Sequence, residues 1–258
     1  MIGPPGVIAD ADVHTAFREW LLRAADDELV IGHRHSEWTG FGPDIESDVA
    51  LSSIAQDEIG HARAMYAQIV ADADRDTDHL AFSRPASEYR HGIFLERENG
   101  GWEWSIARLA LYERYDTLRL RALAASNQEP VAGLARALLR EERYHTLFAD
   151  TWLARMSEGS PEGRTRVQAA IDAAWPDALG LFERTDADER LMAAGMLPAS
   201  DHRGSWEAAV RPLLESCGLT VPSAIAREGG RRGTHTPEFD RLLAQMTEVR
   251  RSDPEARW

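Results

Sequence analysis

Lysine is absent from the 258-residue chain, so all 29 basic residues are arginines. That excludes a Schiff-base lysine for pyridoxal phosphate, a P-loop lysine and the strand lysine of kinases. Cysteine occurs once, at Cys217, which excludes an internal disulfide, a cysteine-built zinc or iron–sulfur site and a CxxC redox pair. Positive charge is in deficit: 43 acidic residues against 29 basic ones leave a formal net charge of −14. Such a surface disfavours nucleic acid and anionic membranes as partners. No run of about 18 apolar residues occurs, and the start of the chain has no basic segment followed by an apolar one, so we expect neither a membrane span nor a signal peptide and a cytoplasmic location. No GxGxxG follows a strand-like segment, and Gly40-Phe-Gly42 stands before Pro43 as a turn would. Any redox chemistry must therefore draw electrons from elsewhere.

Strand alternation is nowhere sustained, so the expected class is all-α, with residues 1–258 as one large domain. Apolar residues from Asp12 to about Trp38 follow a three-to-four step and predict a first helix. Thr39 to Pro43 breaks it, and Asp44 can cap a second helix that fades at the acidic stretch Asp72 to Asp78. Residues 79–100 read as an irregular, polar crossover. Trp102 to Ala125 and Val131 to about Met156 form a second hairpin around the turn Ser126 to Pro130. The core bundle thus occupies about 12–158. Accessory helices occupy about 161–216, the first with Pro176 expected to end or kink it, and a tail covers about 217–258.

Two segments share a pattern: Asp57-Glu58-Ile-Gly-His61 on the second helix and Glu141-Glu142-Arg-Tyr-His145 on the fourth. Each contains Glu-x-x-His, whose side chains at i and i+3 leave one helix face together and can reach one metal centre. Two such motifs on helices two and four of a two-hairpin layout are the signature of a ferritin-like di-iron carboxylate site, which also needs one carboxylate from each remaining helix. Antiparallel partners must match in depth from their turn at about 1.5 Å per residue. Glu28 misses the level of Glu58 by about 6 Å, whereas Glu37 would miss by about 20 Å. On the third helix Glu113 matches Glu142 best, with Asp116 as the alternative. The offset between the halves is 85 for Glu28 and Glu113, 84 for both Glu58/Glu142 and His61/His145, and would be 88 for Asp116. The candidate ligands are therefore Glu28, Glu58, His61, Glu113, Glu142 and His145. Hard carboxylates with one imidazole per metal suit iron or manganese and disfavour closed structural zinc.

Neighbouring residues carry weaker readings. Asp57 and Glu141 are either partners of the ligating histidines or surface acids. His33 and His35, near the end of helix one, read as capping or hydrogen-bonded histidines. Tyr112, Tyr115, Tyr144 and Phe148 read as core packing, or as the wall of a substrate pocket. Cys217, in a glycine-bounded turn with no histidine motif nearby, is a poor catalytic thiol. Arg231 and Arg232 in Gly229-Gly-Arg-Arg-Gly233 belong to a solvated tail, bind a phosphorylated cofactor such as coenzyme A, or dock a partner subunit.

The run Asp26 to Trp38, with Gly40 to Pro43, Asp48 to Ala55 and Gly60 to Arg63, resembles the bacterial phenylacetyl-CoA epoxidase family of phenylacetate catabolism. So does the tail Gly229 to Thr236 with Leu242 to Met246. The resemblance implies a ferritin-like fold and a multicomponent enzyme in which a di-iron catalytic subunit pairs with a related structural subunit that in many cases has lost its ligands. It further implies two iron ions, dioxygen as co-substrate, electrons from a separate flavin and iron–sulfur reductase, and epoxidation of an aromatic acyl-CoA. The Gly32-His-Arg-His-Ser-Glu-Trp38 stretch and the tail look more like the structural subunit, while the intact ligand set looks like the catalytic one. The expectation is a metal-loaded, catalytic or catalytic-like member, with the non-catalytic structural subunit as the alternative.

Overall fold

The computed structural model describes residues 8, 10–70, 77–197 and 202–253, and every regular element among them is helical. Helix α1 (Ala11–Ser36) starts behind Asp10, whose carboxylate accepts the N–H groups of Asp12 and Val13 and so satisfies donors with no partner inside the helix. In the turn that follows, Asp48 accepts from the Gly40 and Gly42 N–H groups at 2.7 and 3.0 Å. Asp44 accepts from Ser47 N at 2.8 Å and opens α2 (Ile45–Val70). The second hairpin consists of α5 (Trp102–Ala124) and α6 (Val131–Gly159). α1 packs along α2 and α5 along α6, and a shorter seam joins α2 to α6. This is a ferritin-like helical bundle with extra helices, four of which are α7 (Pro161–Leu179), α8 (Asp186–Ala193), α9 (His202–Ser216) and α10 (Pro237–Met246). α7 lies on α5 and α6, α8 on α1, and α9 on α5. No helix among the described residues is long and apolar enough to cross a membrane.

Gly32 sets how closely α1 approaches α2. A Cβ there would lie 2.8 Å from the Ile59 side chain, 3.0 Å from Glu58 Cβ and 3.1 Å from Ala55 O. Gly32→Ala is expected to push the two helices apart and cost about 1–3 kcal/mol, the usual penalty for overpacking, as a lowered urea midpoint.

The crossover differs from its sequence reading. It carries two short helices, α3 (Thr77–Phe82) and α4 (Ile93–Glu96), and buries Tyr89, His91, Phe94, Leu95 and Glu96. A buried connection needs partners for its backbone, and α1 supplies them. Asp26 accepts from Arg90 N at 2.8 Å and pairs with Arg84, Asp27 accepts from Gly92 N at 3.0 Å, and Arg34 donates to Glu96 O. Pro176 does not end α7, which runs three residues further into a tight turn at Gly180–Phe182, and its carbonyl accepts Arg227 N at 2.8 Å.

The described part of the tail is pinned to the body at several points. Glu96 accepts from His91 Nε2 at 2.7 Å, His235 Nδ1 at 2.8 Å and Thr236 N at 2.6 Å, tying tail to crossover. Arg231 is 2% exposed and donates to Asp27 (2.7 Å), Arg90 O (3.0 Å), Tyr115 Oη (2.9 Å) and Leu181 O (3.2 Å). The reading of Arg231 as a surface arginine is corrected: its charge is consumed inside the chain. Arg232 remains outside, paired with Glu183 at 3.0 Å.

Candidate metal centre

The four bundle helices bring all six predicted residues to one level. α1 supplies Glu28, α2 supplies Glu58 and His61, α5 supplies Glu113, and α6 supplies Glu142 and His145, and every one is buried. His61 Nδ1 stands 3.4 Å from Glu28 Oε2 and 3.4 Å from Glu142 Oε1. His145 Nδ1 stands 3.5 Å from Glu113 Oε2, 3.7 Å from Glu58 Oε1 and 3.7 Å from Glu142 Oε1. The donors group as Glu28, Glu58, His61 and as Glu58, Glu113, His145, with Glu58 common to both. The two rings lie nearly parallel at 6.1 Å.

Most of these atoms have no hydrogen-bond partner: Glu28 Oε2, both oxygens of Glu58, Glu113 and Glu142, and Nδ1 of His61 and of His145. Buried polar atoms are nearly always paired, and leaving one bare costs free energy. Such a converging set of unpaired carboxylate and imidazole donors fits a pair of hard metal ions.

The outward faces of the imidazoles are tied across the bundle. His61 Nε2, on α2, meets Glu141 Oε2 of α6 at 2.8 Å, and His145 Nε2, on α6, meets Asp57 Oδ2 of α2 at 3.3 Å. Each acid is itself about half exposed, so each contacts a histidine while still facing solvent. A carboxylate on the far ring nitrogen fixes the orientation of a ligating histidine and raises its basicity. Glu28 Oε1 is held by Tyr112 Oη at 2.9 Å and by the Arg119 guanidinium, which leaves Oε2 to face the cluster. Arg119 also takes Asp116 Oδ1, turning Asp116 toward the guanidinium while Glu113 stays beside His145.

Charge follows from this geometry. Burial, reinforced by neighbouring carboxylates, pushes Glu58 and Glu142 well above the ordinary carboxylate range. Burial also pushes Glu113 up to about 7. Burial opposes a charged Glu28, but the neighbouring Glu58 carboxyl and His61 imidazole and the charge of Arg119 outweigh it and hold that carboxyl well below its usual range. Burial likewise opposes a charged His61, yet Glu28 and Glu142 raise it to about 10. The metal-free cluster therefore retains protons at neutral pH.

Other predicted residues fall elsewhere. Tyr144 is 73% exposed and cannot line an interior pocket, while Phe148 is half-buried, edge-on to Trp102. Cys217 is a buried free thiol. His35 is fully buried with neither ring nitrogen bonded, and His33 Nε2 is also unpaired, so neither is the satisfied histidine expected. Burial, with the charge of Arg108, holds His35 well below its ordinary pKa, and burial lowers His33 to about 4. The residue that sequence reasoning missed is Arg119. Its i+3 spacing from Asp116 was a visible signal for that pair, but its reach to Glu28 depends on how α1 meets α5.

Together the helical bundle and its two histidine-bearing carboxylate groups define a ferritin-like protein with a buried carboxylate–histidine cluster between its hairpins. The chain belongs to the phenylacetic acid catabolic protein family, whose model matches residues 7–258. It is 31% identical over 244 residues to one of the subunits of the 1,2-phenylacetyl-CoA epoxidase of Escherichia coli (strain K12), a match that covers 93% of this chain and 98% of that protein.

Proposed function

We propose that the chain is a di-iron oxygenase subunit that activates dioxygen to epoxidise or hydroxylate an aromatic acyl-CoA in the cytoplasm, acting as one cooperative domain. The observation that carries this reading is the set of buried donors without partners on Glu28, Glu58, His61, Glu113, Glu142 and His145. Iron bound by these six would supply the reduction of dioxygen and the oxygen transfer, with electrons from an external flavin and iron–sulfur reductase. The remaining work is the protein's. Asp57 and Glu141 orient the two imidazoles, while Tyr112 and Arg119 fix Glu28 by one oxygen and leave the other available. A related ferritin-like subunit, a second copy of the chain as a homodimer, or both are the proposed partners, and the relative is one subunit of an epoxidase. Exposed Ile45 and Val49 on α2 and Tyr144 and Leu147 on α6 offer apolar surface for such a contact.

Metal binding to the metal-free protein tests this, with a sign fixed by the proton affinities. Carboxyls raised by burial favour folding below their unfolded pKa of 4.5, and that contribution is lost as pH rises, for Glu113 through about 7. Ferrous or manganous ions need the same groups deprotonated. Binding should therefore release protons, read by calorimetry in buffers of different ionisation enthalpy, and the increase in Tm caused by metal should grow as pH rises through about 7. A Tm unaffected by metal across that range would remove the reading.

One observation favours the alternative, a non-catalytic structural subunit. Arg119 places a buried cation on Glu28, Asp27 and Asp116, so part of the cluster's negative charge is already balanced from within the chain. In that reading the protein purifies without iron and serves a catalytic partner chain.

A further inference from the structure

The two donor groups of the cluster are served unequally by the residues around them. One group is Glu58, Glu113 and His145 and the other is Glu58, Glu28 and His61, so beyond the two histidines Glu113 and Glu28 distinguish them. Both oxygens of Glu113 are buried without a hydrogen-bond partner. Of Glu28 only Oε2 is bare, because Tyr112 Oη donates to Oε1 at 2.9 Å and the Arg119 guanidinium holds the same oxygen. Glu113 has two oxygens to offer an ion where Glu28 has one.

Charge acts in the same direction. Arg119 is 6% exposed, so water screens its cation little, and it stands against Glu28 together with Asp27 and Asp116. Asp27 is matched a second time, by Arg231 at 2.7 Å. Among the described residues no arginine pairs with Glu113, which stands 3.5 Å from His145 Nδ1. One feature opposes this order: Glu141 lies 2.8 Å from His61 Nε2, closer than Asp57 to His145 Nε2 at 3.3 Å. Both of those acids are about half exposed, so water weakens their effect in a way that it does not weaken the buried guanidinium.

From this we infer, on the di-metal reading above, that the two positions differ in affinity. The position of Glu113 and His145 takes the first divalent ion, that of Glu28 and His61 takes the second, and Arg119 is the positioning residue that keeps the second weaker. The second ion is then the labile one, and Arg119 sets the supply of free metal at which the pair is complete.

Manganous ion titrated into the full metal-free chain, followed by calorimetry and by electron paramagnetic resonance, reads the order. One equivalent is expected to give the spectrum of an isolated ion and a second equivalent that of a coupled pair. The second constant should be at least about tenfold weaker, a size that a residue bonded to a ligand commonly controls. Two ions repel wherever they sit, so the variants decide which position fills first. His61→Ala and Glu28→Gln are each expected to keep the first step and lose the second, whereas His145→Ala and Glu113→Gln are each expected to lose the first. Two variants on each side guard against one failing to fold. Arg119→Gln should strengthen the second step by about tenfold and leave the first in place, while Arg119→Lys, which keeps a cation beside Glu28, should keep the gap. A purely structural loss would weaken both steps together. A first ion lost with His61 and Glu28 but kept without His145 and Glu113, losses with no preference between the pairs, or a gap that Arg119→Gln leaves unchanged would overturn the inference while the di-metal reading stands. No ion bound at all would remove that reading, and the inference with it.

Discussion

Glu58→Ala and His145→Ala are each expected to purify without metal from iron-supplemented cells, while the unaltered chain carries about two irons, the number a paired Glu-x-x-His site holds. Glu58 stands in both donor groups and His145 Nδ1 stands within 3.7 Å of three carboxylates, so neither loss can be made good by a neighbour. Helicity should persist, because the bundle is held by an apolar core running from Trp20 and Leu29 through Leu109 to Leu153 and not by the cluster. Stability provides a second, opposite-signed reading. Without metal, Glu58 is a buried carboxyl whose two oxygens have no partner and whose neighbours are acids. Glu58→Leu should therefore make the metal-free protein more stable, by about 1–4 kcal/mol, in the manner of buried charges replaced by hydrophobic groups. A site that costs stability when empty and is relieved by removing a ligand is built for an occupant. Iron retained in either alanine variant would sink the assignment of ligands. An unaltered chain that stays metal-free after anaerobic ferrous reconstitution would hand the case to the structural subunit.

The sequence revealed the parts of this architecture that repeat with a period. Glu-x-x-His places two groups on one helix face by helical geometry alone, and the depth argument that chose Glu28 over Glu37 needed only the rise per residue and the position of a turn. The structure puts Glu28 and Glu113 at the level of the two motifs. What remained hidden depends on segments with no period meeting at long range. The crossover reads as polar, yet its arginines and backbone groups bond to Asp26 and Asp27 some sixty residues earlier. The tail reads as solvated because Gly-Gly-Arg-Arg-Gly has the composition of a loop, and nothing local announces that Arg231 reaches Asp27 across 204 positions. His35 shares the inward face of α1 with Glu28, seven residues on, but only packing shows that both its nitrogens are left bare.

The two arginines of that tail motif should differ widely in cost. Arg231→Met removes a guanidinium that is 2% exposed and makes four hydrogen bonds, leaving Asp27 buried with Arg119 and Gly92 N as its remaining partners. Breaking one side of a buried pair is strongly destabilising because the other charge stays behind, typically by about 3–5 kcal/mol. Arg232→Ala removes a side chain that is 68% exposed, and its pair with Glu183 is screened by water, so the loss should stay under about 1 kcal/mol. Urea unfolding of the two variants side by side measures the difference. Equal losses would mean that Arg231 is not held by these four bonds and that the tail is not pinned to α1. A large loss for Arg231 alone shows more than one strong contact. Asp27 receives Arg119 from the bundle, Gly92 from the crossover and Arg231 from the tail. The residue beside Glu28 is then where three distant segments of the chain are joined, and the position of Glu28 in the cluster depends on all three.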